Sequence, residues 1–85
     1  MMYQIEVVKS ALKELESIPK IFKSKIISKI DDLAAEPRPG GVKKLEGSIN
    51  TYRIGVGNYR IIYQIKDLQL IITVIKISDR KDAYK

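Results

Sequence analysis

The chain of 85 residues has neither cysteine nor histidine. Lack of cysteine removes disulfides and thiol chemistry and fits a reducing compartment. Lack of histidine removes the commonest general base and the commonest metal ligand. Any catalysis therefore falls to lysine, arginine, tyrosine or carboxylates, and neither a metal nor another cofactor is expected. Long apolar runs are also missing. The longest, Leu70–Ile75, is interrupted by Thr73 and is strand-sized, well short of the ~18–20 residues that span a bilayer. The opening MMYQIEVV has no cationic stretch leading into a long apolar core, so it does not read as a secretory signal. These absences lead us to expect a cytoplasmic protein with no membrane partner.

Acidic residues are scarce in one region only. The net charge is +6, but Met1–Glu36 carries six basic and six acidic residues and is neutral. Pro37–Lys66 holds Arg38, Lys43, Lys44, Arg53, Arg60 and Lys66 against Glu46 alone, a net +5. The remainder, with four basic and three acidic residues, adds +1. A charge excess confined to one segment points to a polyanionic partner; a solvated basic surface is the ordinary alternative.

The length makes one small domain, residues 1–85, with a core close to the lower limit of self-sufficiency. Tyr3–Val8 alternates loosely and reads as a first strand. Ser10 is a candidate N-cap for a short helix to about Ser17, with Ala11, Leu12 and Leu15 on one side. Pro19 ends it and suits the first turn of a second helix. There Phe22, Ile26, Ile30 and Leu33 form an apolar stripe in steps of four, four and three, flanked by Ile27 and Ala34. The segment from Glu36 to Gly41, with two prolines and two glycines, is a connector. Val42–Leu45 reads as a short strand. A turn at about Lys66–Gln69 leads into Leu70–Ile77, apolar on both faces and hence expected in the sheet interior. The sum is an α+β fold of order β-α-α-β-β-β-β, with two helices covering one face of a small antiparallel sheet. Ser78–Lys85 is polar and reads as a tail that crosses or flanks the sheet.

Between the connector and the last strand lies Thr51–Ile65, TYRIGVGNYRIIYQI, which reads as a β-hairpin turning at Gly57-Asn58. A two-residue loop pairs Val56 with Tyr59, Gly55 with Arg60, Ile54 with Ile61 and Arg53 with Ile62. Alternation then puts Tyr52, Ile54, Val56, Tyr59, Ile61 and Tyr63 on one face, the core side. Arg53 and Arg60 project from the other, with only a glycine hydrogen opposite Arg60. Two guanidinium groups beside open backbone suit a phosphate.

The residues that could carry chemistry are Lys43, Lys44, Arg53, Arg60, Arg80, Lys81 and Tyr84, with Glu46 and Asp79 as nearby acids. RNA cleavage by the neighbouring 2′-hydroxyl suits such a set, because the substrate supplies the nucleophile. The protein must orient the phosphate, balance the charge of the pentavalent transition state and move two protons. Arginines do the first two well. Tyrosine, lysine or a carboxylate can move protons, less readily than histidine. Each residue has an ordinary alternative. Arg53 and Arg60 could keep one sheet face soluble, Lys43, Lys44, Arg80 and Lys81 could be solvated charge, and Tyr84 could be a docking aromatic near the chain end.

The string KKLEG…YRIxVGxYRIIYQI…IxVIxIxxRxDxY resembles the RelE branch of the RelE/ParE superfamily of bacterial and archaeal type II toxins, over nearly the whole chain. The most specific parts are Tyr52-Arg53-Ile54, Tyr59-Arg60-Ile61-Ile62-Tyr63, and Arg80 followed by Tyr84. The resemblance implies a ribosome-dependent endoribonuclease that cuts mRNA in the decoding site. It implies Arg53 at the phosphate, Arg60 stabilising the transition state, Arg80 assisting with charge or leaving-group protonation, and Tyr84 orienting or activating the 2′-hydroxyl. Lys43, Lys44 and Lys81 become candidates for binding RNA or the ribosome. A cognate antitoxin with a mostly acidic wrapping segment is implied as partner, and operator DNA only through that complex. One position departs from the pattern: many relatives carry a second basic residue two positions after the first, where this chain has Gly55. A ParE-like inhibitor of DNA gyrase and a catalytically weakened binding module remain as alternatives.

Overall fold

A computed structural model describes residues 2–79 of the protein. The chain runs β1 (Gln4–Val7), α1 (Lys9–Glu16), α2 (Lys20–Ala35), β2 (Lys43–Lys44), β3 (Thr51–Val56), β4 (Tyr59–Lys66) and β5 (Ile71–Asp79). The strands form one sheet in the order β1-β5-β4-β3-β2. This is the expected α+β order, with one refinement. The β2–β5 meander is antiparallel, but β1 lies parallel to β5, Gln4 beside Ile71 and Val7 beside Val74. Parallel neighbours need a long connection, and here nearly the whole chain lies between them.

Local chemistry explains most boundaries. α1 begins at Lys9, one residue before Ser10 could cap it, and no side chain caps Val8. The reason is that Val8 still donates its N–H to the Val74 carbonyl at 3.0 Å while its own carbonyl accepts from Leu12 N–H at 2.9 Å. The last strand-like bond and the first helical one thus share a residue. Pro19 sits at the N-cap of α2, and its carbonyl accepts from Phe22 and Lys23. A proline there forfeits no helical donor. Gly57, at φ +59°, takes the first position of the β3–β4 turn with no positive φ at Asn58, the pattern of a type II′ turn.

The core lies between the helices and one sheet face. Ala11 and Leu15 of α1, Ile26, Ile30 and Leu33 of α2, and Ile54, Ile61, Tyr63, Ile65, Ile72, Val74 and Ile77 of the strands form one buried cluster. The α2 stripe is as expected except at its start, where Phe22 remains partly exposed and packs its ring against Tyr59 at 5.7 Å. Leu12 and Ile27 point outward. β5 is an interior strand, as its apolar composition requires. A bulge at Ile75 of β5, opposite the Ile62–Tyr63 step of β4, offsets the pairing of the two strands, so that Tyr63 meets Val74 and Ile62 meets Lys76. Beyond Val74, β5 outruns β1, and Glu14 of α1 covers the exposed edge. Its carboxylate accepts from the Ile77 N–H and from Lys76 Nζ, both at 3.1 Å. No described helix is long and apolar enough to cross a membrane.

Candidate functional site

The face of the sheet turned away from the helices carries the two hairpin arginines, Arg53 and Arg60. The hairpin register is the one its sequence requires: Arg53 opposite Ile62, Ile54 opposite Ile61, Gly55 opposite Arg60 and Val56 opposite Tyr59. Ile54, Ile61 and Tyr63 are buried on the core side, with Tyr52, Val56 and Tyr59 packed half-buried around them. Arg53, Gly55 and Arg60 therefore share the opposite face. β2 adds to it through Lys43, which lies beside Arg53 in the register, whereas Lys44 lies beside Tyr52 on the core side. The two neighbouring lysines are thus divided between faces, a consequence of strand alternation that a two-residue strand hides in the sequence.

Gly41, Lys43, Arg53, Ile54, Gly55 and Arg60 line one groove of about 170 Å³. Cationic side chains from three adjacent strands border it, and two glycines leave part of its wall without side chains. Gly55 is not required by backbone conformation. Its φ is ordinary, and an added Cβ would meet only the Tyr59 carbonyl oxygen, at 3.9 Å. Guanidinium groups here can hold a phosphate and neutralise added negative charge. They cannot accept a proton at neutral pH, so proton transfer requires groups from elsewhere. Of the residues expected at this site, Arg80, Lys81 and Tyr84 lie outside the described residues. Of the two nearby acids, Glu46 is exposed in the β2–β3 loop, and Asp79 pairs with Tyr59 and lines a separate hollow with Glu14 and Lys76. Among the described residues no group of three or more acidic side chains is arranged to hold a metal ion.

A polar network behind the groove was not foreseen from the sequence. Arg38, in the connector, donates Nη2 to Asp67 Oδ2 at 2.8 Å and Nη1 to Oδ1 at 3.3 Å. Its Nε donates to the Tyr52 hydroxyl at 3.1 Å, and its guanidinium lies 5.2 Å from the centre of the Tyr52 ring. Tyr3 donates to Asp67 Oδ1 at 2.6 Å. Tyr52 stacks on Tyr63, centroids 6.1 Å apart, and the Tyr63 hydroxyl donates to the Pro37 carbonyl at 2.7 Å. The bonds from Arg38 and Tyr3 hold the Asp67 carboxyl below its ordinary range. The bond to Asp67 raises the Tyr3 phenol, and burial pushes Tyr63 up to about 12. This network anchors the connector, and with it Gly41 and the approach to Lys43. It also occupies Arg38, which the charge count alone would have assigned to an anionic partner. The Pro-Arg-Pro segment was the signal available, but its acidic partner stands 29 residues away.

Comparison with known proteins gives this geometry its context. A family model described as the ParE toxin of the type II toxin–antitoxin system parDE matches residues 5–84. The chain belongs to the RelE/ParE family of toxins. A Methanocaldococcus jannaschii protein carrying the RelE toxin name is 34% identical over 100% of this chain and 98% of its own length. Among solved structures, RelE in the archaeal RelE–RelB complex of Pyrococcus horikoshii has a TM-score of 0.84. It is 33% identical over 94% of this chain and 97% of that one. The intact Escherichia coli RelBE toxin–antitoxin complex provides a match with a TM-score of 0.80 at 25% identity, covering 91% and 95% of the two chains. For this RelE/ParE-family chain, the basic groove thus sits on a fold shared along nearly its entire length with the RelE structures.

Proposed function

We propose that this chain is the toxin of a type II toxin–antitoxin pair and acts as a ribosome-dependent endoribonuclease on mRNA. The observation that carries the reading is the groove in which Lys43, Arg53 and Arg60 meet beside Gly41 and Gly55. In the reaction, the substrate's 2′-hydroxyl oxygen attacks the adjacent phosphorus and the bond to the 5′-oxygen breaks. The products carry a 2′,3′-cyclic phosphate and a 5′-hydroxyl. One proton leaves the 2′-oxygen and one joins the 5′-oxygen. Arg53 holds the phosphate, and Arg60 offsets the charge that builds up on its non-bridging oxygens. Tyr84 orients or activates the 2′-hydroxyl, and Arg80 assists at the leaving group. The cognate partner is an antitoxin, since several structural relatives were solved in complex with RelB, and the basic groove calls for acidic character in the segment that covers it. Operator DNA is contacted only through that complex.

Mapping mRNA ends on translating ribosomes after induction tests the reading. Cuts confined to the decoding site are expected from the wild type. Arg60→Ala should reduce them by at least about a hundredfold, the scale of losing one transition-state charge contact, while the fold survives. Full cleavage by that variant would remove Arg60 from the mechanism.

A second reading, a ParE-like inhibitor of DNA gyrase, draws support from the ParE family model and from the missing side chain at Gly55. Gyrase supercoiling in the presence of the purified protein separates the two. The endoribonuclease should leave it untouched.

A further inference from the structure

We propose that Lys43 supplies the third cation of the groove, in place of a side chain at position 55, with the RNA phosphodiester lying over Gly55 between Lys43, Arg53 and Arg60. The inference deepens the endoribonuclease reading and rests on it. Lys43 is the register partner of Arg53 and therefore the diagonal neighbour of Gly55. Diagonal pairs are separated by roughly 7–8 Å, within reach of long side chains. Gly55 in turn faces Arg60. The open space at Gly55 is thus flanked by cationic residues on both neighbouring strands.

Elimination leads to the same residue. Of the other basic side chains between positions 37 and 66, Arg38 is held by Asp67 and Tyr52. Lys44 belongs to the core side of β2. Lys66 shares the outer face with Arg60 but is six residues further along β4, roughly 20 Å away at strand rise. Lys43 is exposed and lines the groove. Because the backbone at Gly55 accepts a side chain, the charge can be moved from one strand to the other experimentally.

Cleavage of ribosome-bound mRNA is compared for the wild type, Lys43→Ala, Lys43→Ala combined with Gly55→Lys, and Lys25→Ala on the helical layer, each checked for an unchanged melting curve. Lys43→Ala should lower kcat/KM roughly tenfold and make its dependence on salt shallower by about 0.7 in a log–log plot, the change for one single-strand phosphate contact. The added Gly55→Lys should restore both, and Lys25→Ala should alter neither. Wild-type rates from Lys43→Ala overturn the inference and leave the endoribonuclease standing. A loss that Gly55→Lys does not restore, with the salt slope unmoved, also overturns it. A wild type that cuts no ribosome-bound mRNA removes the parent reading and this one with it.

Discussion

Tyr63 illustrates how one side chain serves both core and site. Its ring is fully enclosed, and its hydroxyl reaches the Pro37 carbonyl at the head of the connector. Tyr63→Phe keeps the ring and deletes that bond, so it should cost about 1 kcal/mol in urea unfolding. The same residue gives the protein an alkaline limit. Its phenol titrates near 10 when unfolded and at about 12 in the native state. Between those values the unfolded chain releases a proton that the native chain retains, so stability falls as pH rises. Tyr3, raised by its bond to Asp67, acts in the same direction. Melting curves collected between pH 9 and 11 should show the decline, and Tyr63→Phe should make it shallower.

At the scale of elements, the connector between α2 and β2 deserves its own experiment. Its path is set by the Arg38 fork on Asp67 in the β4–β5 turn and by the Arg38–Tyr52 contact. The ion pair is largely exposed, so its share of global stability is small. Asp67→Asn should lower Tm by no more than a few degrees. It should nonetheless speed amide exchange at Val42 and Leu45, whose N–H groups bond to the Pro39 and Thr51 carbonyls, while leaving the interior of β4 protected, because the clamp restrains local opening rather than the core. Acid should mimic the substitution. The folded carboxyl titrates below its unfolded value, so its contribution is complete above about pH 4 and disappears as pH falls through the depressed folded value.

At the scale of the whole molecule, margins are narrow. A chain of 85 residues has a total stability on the order of 4–13 kcal/mol. Ile61 is completely buried in the central strand. Its replacement by alanine should cost about 2–5 kcal/mol, a large share of that total. Ile61→Ala should therefore lower Tm by about 10 °C or more and reduce the soluble yield of the isolated chain. A bound antitoxin at a hundred times its Kd would return about 2.7 kcal/mol by mass action. Thermal unfolding of the variant with and without the partner measures both effects.

The sequence by itself determined the hairpin and its two arginines. A two-residue turn permits one register, and alternation then assigns each side chain to a face without help from the remaining chain. It also determined the two helices, since apolar spacing within a segment specifies which side must be buried. Tertiary structure alone decided what depends on segments distant in sequence. It separated Lys43 from Lys44, because two residues carry too little pattern to reveal their faces until β3 fixes them. It removed Arg38 from the anion-binding surface by pairing it with Asp67 across the sheet's end. It set β1 parallel to β5, a pairing joined by nearly the whole chain and hence invisible to any local signal.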